Sequence, residues 1–361
     1  MALQENVRRV HIGKLHAEFK YWNEKGKADT TIPFDNMNLS LDDIFKLWKS
    51  EFLDNWNAPK TKSDDNMKVM SSIPGGDNLG IGSVSEEQQN ALNAFQRYFS
   101  PREVKIDKDR RIAIILFDAI DPNGADVTYK NYRTRKSRRN KKEAYEGINY
   151  SAHLVIKLNG KNGIYDAVLE DVPYLTINAI NSILSKMAQT IRNKNNKIFT
   201  IKSPTGVPNA HGKVKNEACR LQLLFHQIPD QRFWDVVSRR EAVSTLELVN
   251  TNPQNDDDIT LDFKSCSIVF DLPPQSFFDS VKSNFKKLFS FGKKHHYDFL
   301  KVTVQTEAGN SKTVWFNTET ELMRADKFTK MELIEGLREK LATATEKIND
   351  ELVDRMTELL P

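Results

Sequence analysis

The thirteen residues "KNYRTRKSRRNKK", Lys130 to Lys142, hold eight cationic side chains and no acid. The chemistry open to such a stretch is electrostatic. Close like charges repel, so Lys130, Arg133, Arg135, Lys136, Arg138, Arg139, Lys141 and Lys142 gain most when a polyanion displaces their counterions. Arginine pairs with phosphate bidentately, and the neighbouring Tyr129 and Tyr132 can stack or bond to sugar and phosphate. The bland alternative is a solvated loop between two strands. Two further blocks favour the polyanion. No acid lies between Asp171 and Glu217, a stretch that contains Lys186, Arg192, Lys194, Lys197, Lys202, Lys213 and Lys215. The segment "KSNFKKLFSFGKKHHYDFLK" adds Lys282, Lys286, Lys287, Lys293 and Lys294, with His295 and His296 adjoining. At a net charge of only +4, negative charge must be gathered elsewhere, as in "NDDDITLD", which is what a one-sided polyanion surface requires. Arg192, Lys194, Lys197, Lys293 and Lys294 therefore join the opening eight as candidate nucleic-acid contacts.

Catalytic chemistry is less legible. No GxSxG, HExxH or Walker motif occurs, no Cys/His dyad stands out, and no cofactor or metal site is expected. "PGGDNLGIGS" has glycines but lacks the Lys-Ser/Thr pair of a phosphate-binding loop. The strongest acid candidate is Asp262-Phe263-Lys264, where a strand would put Asp262 and Lys264 on one face as in metal-dependent nucleases of the PD-(D/E)xK type. Asp256, Asp257 or Asp258 would supply another carboxylate. A surface salt bridge explains the same residues. Asp118 and Asp121 read as turn formers, and Asp166 and Glu170 share a strand face without a third partner. Cys219 and Cys266 show no ligand spacing and read as buried free thiols.

The elements that must position these residues follow from periodicity. A strand is expected near Val7 to Phe19, and Ser40 with Asp43 forms a capping box ahead of a helix carrying Ile44, Leu47, Trp48 and Phe52. A mobile loop near 58–85 precedes a helix beginning at Ser85. "IAIILF" reads as a buried strand, "SAHLVIKLNGKNGIYDAVLE" as a hairpin, and Thr176 to Ile191 as an amphipathic helix. Further on, "CRLQLLFHQI", "AVSTLELVN" and "ITLDFKSCSIVFDL" read as strands. "PQSFFDSVKSNFKKLF" reads as a helix and "DFLKVTVQTEAGNSKTVWFN" as a hairpin. From Lys327 to Leu360 a stripe through Leu333, Leu337, Leu341, Ala344, Ile348, Leu352, Met356 and Leu359 predicts one long helix, more than a small domain needs for its own core.

The expected fold class is α+β: two mixed sheet-and-helix domains, 1–200 with the basic insertion at 129–145 and 201–361 with a terminal helix at 327–360. The longest apolar run is too short to span a bilayer and the N-terminus lacks a signal-peptide core, so a cytoplasmic protein without membrane insertion is expected. The segment "TVQTEAGNSKTVWFNTETELMRADKFTKMELIEGLREKL" resembles the end of the RexA-type DNA-binding component of phage exclusion systems, and the order of elements is similar. That resemblance implies DNA binding in abortive anti-phage defence, in dimeric form and alongside a separate effector protein. The residues themselves leave DNA and RNA both open, and the terminal stripe suggests a homodimer. A nuclease and a non-catalytic scaffold remain the alternatives.

Overall fold

The computed structural model describes residues 7–22, 29–32, 34, 37, 39–50, 98–121, 127–130, 134, 136–141, 147–202, 216–251, 265–271, 274–305, 310–324, 329–338 and 341–360. The first half holds β1 (Arg8–Trp22), β2 (Asp29–Ile32), α1 (Leu41–Trp48), β3 (Tyr98–Asp107) and β4 (Ile112–Asp121). Then come β5 (Val127–Lys130), β6 (Ser137–Asn140), β7 (Ile148–Lys157), β8 (Ile164–Glu170) and α2 (Ile177–Lys194). The second half continues with β9 (Thr200–Lys202), β10 (Asn216–Gln227), α3 (Gln231–Val237), β11 (Val243–Asn250) and β12 (Cys266–Phe270). It ends with α4 (Gln275–Asp279), α5 (Val281–Lys294), β13 (Phe299–Gln305), β14 (Ser311–Asn317), β15 (Met323–Arg324), β16 (Met331–Ile334) and α6 (Asp350–Glu358).

The fold is α+β. A sheet of fourteen strands runs β12-β11-β13-β14-β15-β10-β1-β8-β7-β4-β3; β2 and β16 pair with β1 and β9 with β10, while β5 and β6 form a separate two-stranded sheet. The long β1 joins the halves. It pairs with β8 through Val10–His16, with β10 through Gly13–Tyr21, with β16 through Arg8–His11 and with β2 through Phe19–Trp22. In the tight β7–β8 reversal, Asn162 and Gly163 take φ of 52° and 73°; a Cβ at Gly163 would sit 2.1 Å from the Ala17 carbonyl oxygen, so glycine is required.

Both faces of the first half's sheet are covered. Ala113, Ile115 and Phe117 of β4 meet α1 and α2, whereas Ile112 and Ile114 meet the C-terminal segment. This double burial explains the unbroken run "IAIILF". The capping box is present, with Ser40 Oγ accepting from the Asp43 N–H at 3.1 Å, and Thr176 caps α2 in the same manner. The helix expected from Ser85 lies outside the described residues up to position 97, and Tyr98 and Phe99 open a strand instead. The loop expected near 58–85 also lies outside them. A third cluster, with Phe233, Phe285 and Phe316 among its rings, packs α3, α4 and α5 on β11, β13 and β14. The first cluster takes Cys219, Leu221, Leu223 and Phe225 from beyond residue 200.

The long terminal helix is not formed. Its described residues divide into β16, an irregular strap at 335–338 and 341–349, and the short α6. Gly336, at φ 71°, breaks any helix begun before it, and Asn349 caps a fresh one by accepting from the Leu352 N–H at 2.8 Å. The stripe is consumed at home, since Leu337, Leu341, Leu352, Val353 and Met356 are buried against Val10, Ile112, Ile114, Val155 and Val168. The terminal helix through which a homodimer was expected therefore does not exist. Leu333, by contrast, is 56% exposed.

Polar groups hold the strap. Buried Glu170 accepts from Arg8 Nε at 3.0 Å and lies 2.8 Å from His153 Nδ1, while Arg8 also donates to the carbonyls of Leu341 and Ala342, both at 2.9 Å. The Asn349 N–H donates to His153 Nε2 at 3.1 Å. A backbone N–H can only donate, so Nε2 carries the lone pair and the proton sits on Nδ1, facing Glu170. Leu352→Ala is expected to cost about 2–5 kcal/mol in urea unfolding, and Glu170→Ala about 3–5 kcal/mol because it strands a buried guanidinium. Leu333→Ala should stay within about 0.5 kcal/mol. A large loss at Leu333 with none at Leu352 would place the stripe in an intermolecular contact.

Candidate nucleic-acid interface

The basic stretch is not a plain loop. β4 and β7 are antiparallel neighbours whose last pair is Asp121 with Ile148, and between these two residues the chain pairs with itself. The β5–β6 register sets Val127 opposite Asn140, Thr128 opposite Arg139, Tyr129 opposite Arg138 and Lys130 opposite Ser137. The pleat of an antiparallel ribbon then groups positions 128, 130, 137 and 139 on one face and 127, 129, 138 and 140 on the other, so cationic positions occur on both. Lys136, Arg139 and Lys141 are exposed. Arg133, Arg135 and Lys142 lie outside the described residues, as does Tyr132. Sequence reasoning located the cations but missed the pairing. "VTYK" and "SRRN" are each too short and too polar to announce a strand, and only the β-branched and aromatic residues of "VTY" hinted at one.

The other two groups sit at helix C-termini. Arg192 and Lys194 occupy the last turn of α2 and Lys197 follows it; Lys293 and Lys294 close α5. Cations there also complement the negative end of the helix dipole, which gives them a local use independent of any polyanion. Lys194, Lys197, Lys293 and Lys294 are exposed. Arg192 is half-buried, with its Nε out of reach of a hydrogen-bond acceptor among the described residues, and Lys293 pairs with Glu319 at 2.6 Å. The three groups thus stand on three separate elements. His295 stacks on Phe291 with ring centroids 4.3 Å apart, and His296 takes a positive φ of 59°, so the two histidines serve the helix end.

The carboxylates resolve into structural partners. Asp166 pairs with Lys14, and Glu170 belongs to the buried Arg8–His153 network. Asp118 is buried, 2.8 Å from Arg102, and burial nonetheless pushes its carboxyl above the usual aspartate range. Asp256, Asp257, Asp258, Asp262 and Lys264 lie outside the described residues. Among the described residues, no three His, Cys, Asp or Glu side chains are placed to hold a metal ion. Cys219 is buried as expected, but Cys266 is exposed on β12, which among the described strands pairs only with β11.

No family model, curated protein or solved structure matches this chain. The ribbon and its setting are therefore the basis for any functional reading.

Because its folded-state pKa is raised, Asp118 binds its proton more tightly in the folded chain than in the unfolded one. Its contribution opposes folding at neutral pH, and the opposition fades as pH falls through the raised value. Asp118→Asn keeps an acceptor for Arg102 and removes the charge. The variant is expected to gain thermal stability relative to the parent as pH rises from about 4 to 7. Melting curves across that range check it, and a relative loss with rising pH would contradict the stated cause.

Proposed function

We propose that this chain is a non-enzymatic nucleic-acid-binding protein that grips DNA through the cationic β5–β6 ribbon. The observation that carries the reading is the pairing itself: the densest basic stretch is carried on an antiparallel two-stranded ribbon, with Arg139 exposed on it and Lys136 and Lys141 exposed beside it. A two-stranded ribbon has the width to enter a major groove, and its cations can hold the flanking phosphates. Strands β4 and β7, which carry the excursion, are buried through most of their length. The exposed lysines at the ends of α2 and α5 supply additional positive charge.

The narrower role, a sensor or trigger in abortive anti-phage defence with a separate effector, rests on the RexA-type resemblance of residues 303–341. We place it in the cytoplasm. None of the described helices is long and apolar enough to cross a membrane. The structure does not form the terminal helix that the resemblance includes, so dimerisation through it forms no part of the proposal.

Replacing Arg133, Arg135, Arg138 and Arg139 together by Gln is expected to weaken binding across unrelated sequences and to flatten the slope of log affinity against log salt. Each lost phosphate contact removes roughly 0.9 from that slope, so the loss should approach 3–4. Fluorescence anisotropy with labelled DNA and RNA at several salt concentrations reads both quantities. An unchanged slope returns the ribbon to solvated surface. Cleaved substrate that requires Mg²⁺ would favour the nuclease reading instead.

A further inference from the structure

A groove lies beside the first residues of β1, where that strand changes partners. β10 pairs with it from Gly13 onward and β16 pairs with Arg8–His11, with the Ile12 N–H donating to the Lys330 carbonyl at 3.0 Å across the handover. Helix α2 packs along β10 through Ile180, Ile183, Leu184 and Met187 and, among the described residues, leaves the handover uncovered. The result is a groove of about 800 Å³ between the first turns of α2 and strands β1, β10, β15 and β16. That is enough for a small organic molecule.

Its lining has a definite chemistry. Along the α2 wall run Asn178, Ser182, Ser185 and Lys186, and the facing wall offers Arg9. Asp171 is the one carboxylate lining the groove among the described residues. It is already engaged, 3.5 Å from His11 Nε2 and 3.6 Å from Arg9, and the hydrogen bond from His11 with the nearby charges holds it below the ordinary aspartate range. Gln227 Nε2 lies 3.1 Å from His11 Nδ1 and fixes the ring from behind. Burial lowers the Lys186 ammonium from the usual lysine value, a penalty that an incoming anion would offset. The exposed methionine of the lining is Met331, at 37%, while Met323 is wholly buried. Thioethers pack well on aromatic rings.

We propose that this groove binds a nucleoside phosphate, with the phosphate held between Arg9 and Lys186, the base against Met331, and Asn178 and Ser182 at its polar edges. Charge selects the phosphate, since Arg9 and Lys186 line the groove with Asp171 as the one carboxylate among the described residues. Met331 and the Asn178 amide select the base. The site shares no lining residue with the β5–β6 ribbon and does not depend on the DNA-binding reading.

Isothermal titration of the full chain with each 5′-mononucleotide tests it, with the bare nucleoside and inorganic phosphate as the separated halves. At least one mononucleotide is expected to bind one-to-one and at least about ten-fold more tightly than either half. Arg9→Gln and Lys186→Met should each weaken that binding about ten-fold with unchanged thermal unfolding. The fourfold ribbon variant should bind the mononucleotide as the parent does. The proposal is overturned by the absence of saturable binding at millimolar nucleotide, by inorganic phosphate binding as tightly as the nucleotide, by full binding in both groove variants, or by loss of binding in the ribbon variant.

Discussion

Burying irregular backbone against a sheet leaves N–H and C=O groups that must find partners, and this constraint shapes the first half of the molecule. The strap, described at 335–338 and 341–349, meets it by drawing on side chains of the strands beneath. The Thr345 N–H donates to Ser151 Oγ at 2.7 Å, the Ile348 N–H to Glu103 at 3.0 Å and the Asn349 N–H to His153 at 3.1 Å. Arg8 and Arg102 return the exchange by donating to strap carbonyls. The face of β4, β7 and β8 is accordingly split. It is apolar at Ile112, Ile114, Val155 and Val168, where α6 lands, and polar at Asp118, Ser151, His153 and Glu170, where the strap crosses. Glu170 is central, since it neutralises Arg8 and fixes the His153 tautomer that receives the strap.

This arrangement gives the ribbon its mechanical setting. β4 and β7 are clamped by α1 and α2 on one face and by the C-terminal segment on the other, so the basic hairpin between them departs from an ordered part of the molecule. Less conformational entropy is then lost on binding than a free basic tail would lose. Cations at the ends of α2 and α5 have a second occupation as complements of the helix dipole. The density of positive charge in residues 130–142 ranks the ribbon first among the three basic groups.

Much of the fold could be read from local patterns. The Ser40–Asp43 capping box, the apolar run of β4, the "NGKNG" reversal and the period of α2 each express a local rule, and each appears where the rule places it. What could not be read depends on distant partners. Arg8, His153 and Glu170 meet only because β1, β7 and β8 are neighbours in the sheet. The terminal stripe has a helical period, yet β16 is a strand because β1 offers it an open edge at Arg8–His11, a fact absent from residues 331–334 themselves. Gly336 and Asn349 were visible signals of the break, outweighed by the regular leucines. Of the candidate site, the cations were legible and their pairing was not.

The central claim is that nucleic acid engages the β5–β6 ribbon. Hydrogen–deuterium exchange on the full chain, free and saturated with a DNA duplex, tests it most directly. The account predicts that amides across residues 127–141 slow on duplex binding while those of α6 and the strap keep their free-state rates. Bound duplex with unchanged exchange across the ribbon, and protection confined to other segments, would contradict it.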